Sequence, residues 1–566
     1  MNYMEKYKEW LESPVFDEET KKELRMLKGN DKEIEDRFYT ELEFGTAGLR
    51  GIIGAGTNRM NIYIVRKATQ GLANFLNRQA LTDPKVAIAY DSRNFSDVFA
   101  KEAALVLAAN GVHTYLFDVL KPVPELSFAV RHLKCDAGIV ITASHNPSEY
   151  NGYKVYGNDG AQVIEPYDQM IIEEVNAIND FKLIKTIHEQ SAIEKGLLSI
   201  IGEEIDRAYL ACVKEQVLNP DLIKQVADDF KIVYTPIHGT GNRPVRAILE
   251  EVGFKNVYVV EEQEQPDGNF PTVVGPNPEN KEVFALAIKL AQEVKADIIM
   301  GTDPDADRLG VLVPDHEGEY FLLTGNMLGA MLTEYILSQK SIKGKLEPSS
   351  VVIKTIVTTE MVRPICKAYD VEVIEVLTGF KYIGEQMRNF EAKKDKHYVF
   401  GFEESYGCLA GTYARDKDAV VASMLAAEMA AYYKTKGMTL YEGLISLYNK
   451  YGYYKEDVQS ITLKGIEGLS KIREIMEKLR EEGLSAIGDY TVLESRDYEK
   501  GVGTLPKANV LYYELTNQAW LCIRPSGTEP KIKFYIGVRG SSEENAVKEV
   551  EVIKDAVNVL IVPWLK

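Results

Sequence analysis

Three aspartates alternate in the segment GTDPDADR, at Asp303, Asp305 and Asp307, directly after the apolar run ADIIM. In extended or turn geometry alternate side chains project to one side, so three carboxylates converge within a few ångströms. Such a cluster repels itself unless a cation sits in it, and hard oxygen ligands point to Mg2+. Read as an EF-hand calcium loop, the segment places Arg308 where the sharp-turn glycine belongs and Pro314 where the bidentate glutamate belongs, which excludes that motif. A second segment, TASHNPSEYNGYK, puts Ser144 and His145 after the strand-like AGIVI and beside Asn146 and Pro147, which favour a tight turn. The G-x-S-x-G elbow of hydrolases is absent and no Ser, Asp and His set is evident. With a magnesium site elsewhere in the chain, a serine that carries a phosphoryl group fits better.

Two further segments suit a ligand with a phosphate and hydroxyls. RPSGTEPK combines Arg524, Ser526, Gly527, Thr528 and Lys531 between two strands. The glycine lets backbone N–H groups turn inward as an anion nest, the hydroxyls add donors, and Arg524 supplies a planar fork. GFEESYG sets Glu403, Glu404 and Ser405 at a strand end. Carboxylates there accept hydrogen bonds from sugar hydroxyls, or the segment is a solvated turn. Arg50 in FGTAGLRG and Lys417 in RDKD act in a phosphate cleft or pair with neighbouring acids, and spacing does not decide between these.

These loops hang from a repeated frame. Residues 86–118, 231–262 and 351–379 each run strand, polar loop, helix, strand, the βαβ unit of a parallel sheet. Each is followed by a strand that ends in one of the chemistry-bearing loops and resumes as a strand, over 135–156, 296–313 and 396–411. Ligands bind outside the carboxyl ends of such strands, so three similar domains facing a common centre bring three different tools to one cleft. From about Tyr451 the pattern changes to helix, strands and helix. At 566 residues the chain is too long for one core. The expected architecture is three mixed α/β domains over 1–204, 205–324 and 325–449, and an α+β domain over 450–566.

Sixty-six Lys and Arg against 85 Asp and Glu leave a formal charge of -19, the wrong sign for binding nucleic acid or anionic lipid. The N-terminus MNYMEKYKEW has no apolar h-region, so the protein is expected to stay in the cytoplasm. Cys135, Cys212, Cys366, Cys408 and Cys522 are odd in number and never form a C-x-x-C pair, which predicts reduced thiols. The most membrane-like stretch, 419–433, falls short of a bilayer span and carries Glu428, so it reads as a buried helix.

TASHNP, D-x-D-x-D-R, the E-E-S loop and RPSGTEP, in that order and one per domain, resemble the α-D-phosphohexomutase superfamily, and within it the phosphoglucomutases, over nearly the full length. The resemblance implies four domains around a central cleft, the last a mobile lid over the substrate's phosphate. It implies that Ser144 is the phosphoserine and that Asp303, Asp305 and Asp307 hold Mg2+ together with a phosphoserine oxygen. Glu403 and Ser405 would grip the sugar's 3- and 4-hydroxyls, with Thr378 and Gly379 of LTGFK near the ring. Arg524, Ser526, Gly527, Thr528 and Lys531 would hold the phosphate that is not reacting. Arg50, His145, Lys154, Arg308 and Lys417 match positions near the transferring group, with the general acid/base drawn from the His and Lys candidates. The implied activity is an isomerase passing through glucose 1,6-bisphosphate. One departure bears on substrate: Gly401-Phe402-Glu403 replaces the glycine that in many relatives directly precedes the first Glu, and phosphopentomutases share such a loop. Ser405 and the Glu pair favour a hexose, glucose over mannose. A phosphopentomutase, a phosphomannomutase and a Mg2+-dependent sugar phosphatase are the alternatives.

Overall fold

The computed structural model describes residues 2–45, 48–463, 465–526 and 531–565, so Gly527 and Thr528 of the expected phosphate cradle lie outside the described residues. Long apolar strands buried on both faces set up the first three sheets, as parallel strands covered by helices require. In the first, Lys85–Tyr90 lies between His113–Phe117 and Ala137–Ile141, parallel to both, and Tyr150–Gly157 runs antiparallel beside Ala137–Ile141. The second repeats this with Lys231–Thr235 between Asn256–Val259 and Ile298–Thr302, and Leu309–Pro314 antiparallel outside. The third does so with Ser350–Thr355 between Glu372–Val376 and His397–Phe402, closed by Cys408–Ala410. The crossovers are the helices Ser96–Ala109, Asn242–Val252 and Val362–Ala368. Each chemistry-bearing loop therefore joins the third strand of a unit to its antiparallel fourth. Each also holds one non-glycine residue in the left-handed region: Ser144 at φ 51°, Ala306 at 49° and Tyr406 at 66°. That conformation is costly and persists only where the surroundings fix it.

The fourth sheet is antiparallel, in the order Tyr453–Thr462, Lys531–Gly540, Trp520–Pro525, Leu511–Leu515, Tyr490–Asp497, Ala486–Ile487. Period-two alternation decides what each face meets. Leu521 and Ile523 pack with the helices Gly465–Glu482 and Glu543–Leu565. Trp520 and Cys522 on the opposite face pack with Ile356, Val357 and Leu377 of the third unit, seating the last domain on it.

Three N-terminal helices, Tyr3–Glu12, Glu18–Met26 and Asp31–Phe38, precede the first repeat, each capped by a side chain, of Asn2, Asp17 and Asn30. Tyr7, Trp10, Phe16, Leu24 and Phe38 form a small core of their own. Arg37 donates to the carbonyl of Ala55 at 3.1 Å, and Glu23 accepts the Ala55 N–H at 3.1 Å. The cap is thus tied to the turn that follows Leu49–Ile52, the strand carrying Arg50.

The apolar stretch near residue 419 is the helix Ala419–Thr435, buried through Ala431. Among the described residues no helix is long and apolar enough to cross a membrane. Glu428 braces this helix against its neighbours. It accepts the N–H groups of Leu218 at 3.0 Å and Asn219 at 2.6 Å, and the Tyr335 hydroxyl at 2.7 Å. Glu428→Ala leaves those donors unmatched in the core, at a cost on the order of 3 kcal/mol. Scanning calorimetry should show the first unfolding transition several degrees lower. All five cysteines are free, and all but Cys212 are buried.

Candidate active site

The first and second loops meet at the serine. Ser144 is 2% exposed, and its backbone N–H donates to Thr142 Oγ1 at 2.8 Å. Its hydroxyl donates to Asp303 Oδ2 at 2.8 Å, and His145 Nδ1 lies 3.1 Å from Ser144 Oγ. Thr142 Oγ1 donates in turn to Asp305 Oδ2 at 3.1 Å. Arg50 reaches the same loop by donating to Asn146 Oδ1 at 3.1 Å. Burial, then the charges of Arg308 and Arg50, hold the His145 imidazole well below its ordinary value, so the ring is neutral at neutral pH.

Oxygens of Asp303, Asp305 and Asp307 all lie within 4.8 Å of one another, and all three residues are buried. Asp303 Oδ1 accepts the N–H groups of Asp307 at 3.1 Å and Arg308 at 3.0 Å. Asp305 Oδ1 and Asp307 Oδ1 are buried with no hydrogen-bond partner. Leaving buried carboxylate oxygens unmatched is expensive, and an oxygen-seeking divalent cation would match them. The residues present therefore fit Mg2+. Burial first, then the neighbouring carboxylates, push Asp303 well above the usual carboxylate range and Asp307 upward. Asp305 goes the other way: burial raises it, but Lys154, 3.1 Å from Oδ2, together with a hydrogen bond from Asp303 and the charge of Lys417, outweighs that and holds it low.

The third loop closes on this cluster. Leu309 N–H donates to the Tyr406 carbonyl at 3.0 Å, and Ala419 N–H to the Ala306 carbonyl at 3.1 Å. Lys417 Nζ lies 3.1 Å from Asp307 Oδ2. Burial works against its charge, but Asp307, Asp416 and Glu403 together keep it above the ordinary lysine value. Glu403, 4% exposed, accepts the Gly379 N–H at 2.9 Å, and burial pushes it up to about 7. Thr378 Oγ1, next in the chain to Gly379, is buried without a hydrogen-bond partner. Ser405 is half-buried. Glu404 accepts the Thr355 hydroxyl at 3.2 Å.

From the fourth domain, Arg524 and Ser526 are half-buried, and Ser526 N–H donates to the Lys531 carbonyl at 2.7 Å. The positive charge of Arg524 acts on Glu404 and on Tyr382, which brings the arginine of the cradle within electrostatic reach of the third loop.

Several residues with a part in the site escape sequence reasoning. Thr142 links the serine backbone to Asp305. Arg93, in the loop after Lys85–Tyr90, bonds the serine loop from behind. Glu279 accepts from Arg308 at 2.6 Å, and Asp416 accepts the Tyr156 hydroxyl at 2.7 Å. Position is the one available signal: Arg93 lies at the carboxyl end of a central strand, as the cleft rule favours.

The expected α/β frame is matched by comparison with known proteins. The models for phosphoglucomutase/phosphomannomutase alpha/beta/alpha domains I, II and III match residues 41–182, 207–318 and 324–451. A phosphoglucomutase of Staphylococcus haemolyticus is 37% identical over 528 residues, 91% of this chain and 94% of that protein. The open form of the Paramecium phosphoglucomutase parafusin superposes with a TM-score of 0.68 at 16% identity, covering 92% of this chain and 95% of that one. The Aspergillus fumigatus N-acetylphosphoglucosamine mutase, solved with GlcNAc-6P and magnesium, superposes with a TM-score of 0.50 at 14% identity, over 92% of this chain and 96% of that one. The sequence likeness and the three domain matches together establish that the chain belongs to the phosphoglucomutase/phosphomannomutase family.

Proposed function

We propose that the chain is a magnesium-dependent phosphoglucomutase, interconverting glucose 1-phosphate and glucose 6-phosphate through a phosphorylated Ser144 and a glucose 1,6-bisphosphate intermediate. The observation that carries the reading is the Ser144 hydroxyl, 2.8 Å from Asp303 in a buried carboxylate triad with two unmatched oxygens. The named activity of the staphylococcal relative supports it, and the magnesium of the Aspergillus structure supports the choice of metal. We assign the working parts to units at 1–204, 205–324, 325–449 and 450–566.

Mg2+, held by Asp303, Asp305, Asp307 and an oxygen on Ser144, would neutralise charge on the transferring phosphoryl oxygens. Lys154, Arg308 and Lys417 ring the same point and carry the positive charge that a phosphoryl group in transit needs. The phosphoryl passes from Ser144 to the free hydroxyl of a hexose monophosphate. The bisphosphate then turns end for end, and Ser144 recovers the other phosphoryl. His145, uncharged and 3.1 Å from Ser144 Oγ, is placed to take the hydroxyl proton in that last step. Glu403, Ser405, Thr378 and Gly379 hold the sugar, while Arg524, Ser526, Gly527, Thr528 and Lys531 hold the idle phosphate. Closing the fourth domain over the substrate keeps water from the phosphoserine.

The Gly401-Phe402-Glu403 departure bears on the choice of sugar. Phe402 is fully buried and lies on Gly329 of the helix Gly325–Ile342, where an added Cβ would come within 2.0 Å of the ring. The extra bulk fills a glycine notch in the core instead of the sugar site, which supports a hexose. With catalytic glucose 1,6-bisphosphate supplied, turnover on glucose 1-phosphate should exceed that on mannose 1-phosphate and ribose 1-phosphate. A ribose preference overturns the assignment, and stoichiometric phosphate release would make the protein a phosphatase. An intact-mass spectrum should show about 80 Da of added mass on Ser144.

Glu403 gives a pH signature. Its carboxyl titrates near 7, against 4.5 when unperturbed, so below neutrality it loses the negative charge that accepts sugar hydroxyls. KM for glucose 1-phosphate should rise as pH falls through 7, and Glu403→Gln should flatten that rise. The stability effect has the opposite sense: a raised folded value favours the native state below 4.5, and that contribution disappears as pH rises through 7.

A further inference from the structure

Arg93 is 3% exposed, and its guanidinium is spent almost entirely on backbone carbonyls of the serine loop. One terminal nitrogen donates to the carbonyls of Ser144, at 2.6 Å, and Asn146. The other donates to those of Pro147 at 2.8 Å and Tyr150 at 3.0 Å. Asp91 Oδ2 lies 3.5 Å from Nε, and Asp91 is itself fixed by the Ser96 hydroxyl at 2.7 Å. This arrangement pins a loop whose serine sits at φ 51°, a conformation that needs outside support.

The Cζ of the same guanidinium lies over the ring of Phe270, 5.0 Å from its centroid; Phe270 belongs to the second unit and is 1% exposed. Phe270 is positioned by its own neighbours. Its N–H donates to the Asp267 carbonyl at 3.1 Å. His238 holds that loop through the Gln265 carbonyl at 3.0 Å and Thr272 Oγ1 at 2.9 Å. Gly268 allows the close approach to the first unit, since a Cβ there would meet the Asn94 nitrogen at 2.4 Å. The turn beginning at His238 also borders the metal loop. Thr240 N–H donates to the Pro304 carbonyl at 2.9 Å, and a Cβ on Gly239 would meet Pro304 at 2.5 Å. One turn of the second unit thus supports both the acid triad and the platform under Arg93.

We propose that Arg93 and Phe270 form an interdomain clamp that sets the position of Ser144 against the acid triad, making Arg93 a positioning residue for phosphoryl transfer. The proposal rests on the phosphoserine reading above. Nucleophile and metal ligands come from different units, so their spacing has to be set across a domain boundary. A lysine keeps the charge but offers one nitrogen with three donors, which cannot both span four carbonyls and lie over a ring.

The test compares the full-length wild type with Arg93→Lys and Phe270→Leu, assayed on glucose 1-phosphate with glucose 1,6-bisphosphate and Mg2+ and normalised to folded protein by near-ultraviolet circular dichroism. Displacing a reacting group by an ångström costs roughly 100-fold, so kcat of Arg93→Lys should fall by about that factor, with KM within about threefold of wild type. A structural role alone leaves kcat per folded molecule unchanged, and that result overturns the clamp. If Arg93→Lys does not fold, Phe270→Leu decides: a kcat about tenfold lower at constant KM upholds the clamp, and a wild-type kcat overturns it. A wild type without mutase turnover overturns the phosphoserine reading and the clamp with it, whereas active wild type beside a fully active Arg93→Lys overturns the clamp alone.

Discussion

Ser144→Ala is expected to lower mutase turnover by roughly 10⁴-fold or more while the protein stays folded. The size of the effect follows from the route. If both half-reactions pass through one serine oxygen, nothing else in the site can carry the phosphoryl group between them, and the residual rate is that of positioning alone. Survival of the fold follows from where the loop is held. Its four carbonyls bond to Arg93 and the Ser144 N–H bonds to Thr142, none of which involves the serine side chain. Alanine occupies φ 51° at a cost close to that of serine, since both carry a Cβ. Asp303 loses one donor but keeps the N–H groups of Asp307 and Arg308. A thermal midpoint within a few degrees of wild type, no turnover, and no phosphoryl mass on the protein are the linked observations. Turnover within tenfold of wild type would exclude a phosphoserine route.

What the sequence disclosed, and what it concealed, divide along the range of the interactions. Asp303, Asp305 and Asp307 were legible because alternation is local: two-residue spacing after a buried strand already forces the carboxylates together. The three repeats were legible for the same reason, since each is a self-contained strand, helix and strand. Arg93 was not, because its meaning lies in carbonyls some fifty residues later and in a ring on another domain. Glu428 showed the limit from the other side. Its charge argued against a membrane span, yet the reason for its presence, two N–H groups at Leu218 and Asn219, was invisible until the chain was folded. Phe402 looked like a change in the sugar site because it adjoins Glu403. Strand alternation sends it to the opposite face, where Gly329 makes room. The N-terminal cap was overlooked because its helices belong to none of the repeated units, although its caps at Asn2, Asp17 and Asn30 are ordinary local signals.

Asp305→Asn should raise the Mg2+ concentration for half-maximal activity by about 100-fold and abolish most of the thermal stabilisation that Mg2+ confers. The substitution preserves shape, so any effect comes from charge. Asp305 is the member of the triad kept ionised, with Oδ2 held by Lys154 and Thr142 and Oδ1 left unmatched. An amide retains one oxygen for the cation but removes the negative charge that offsets desolvation, and it deprives Lys154 of its partner. Without metal the variant should be less stable than wild type at neutral pH, because the folded site holds Asp305 ionised below its ordinary value and the substitution leaves Lys154 without that partner. The pH dependence has a definite sign. Asp303 and Asp307 are pushed up by burial and by their neighbours, so the metal-free site retains protons that a cation must displace, and Mg2+ affinity should rise with pH. Thermal shift titrations with Mg2+ at two pH values, alongside activity titrations, separate this from a general loss of structure. An Asp305→Asn protein whose melting temperature still climbs with Mg2+ as wild type does, and whose lost activity no amount of Mg2+ restores, would remove Asp305 from the ligand set and leave it only as the anchor for Lys154.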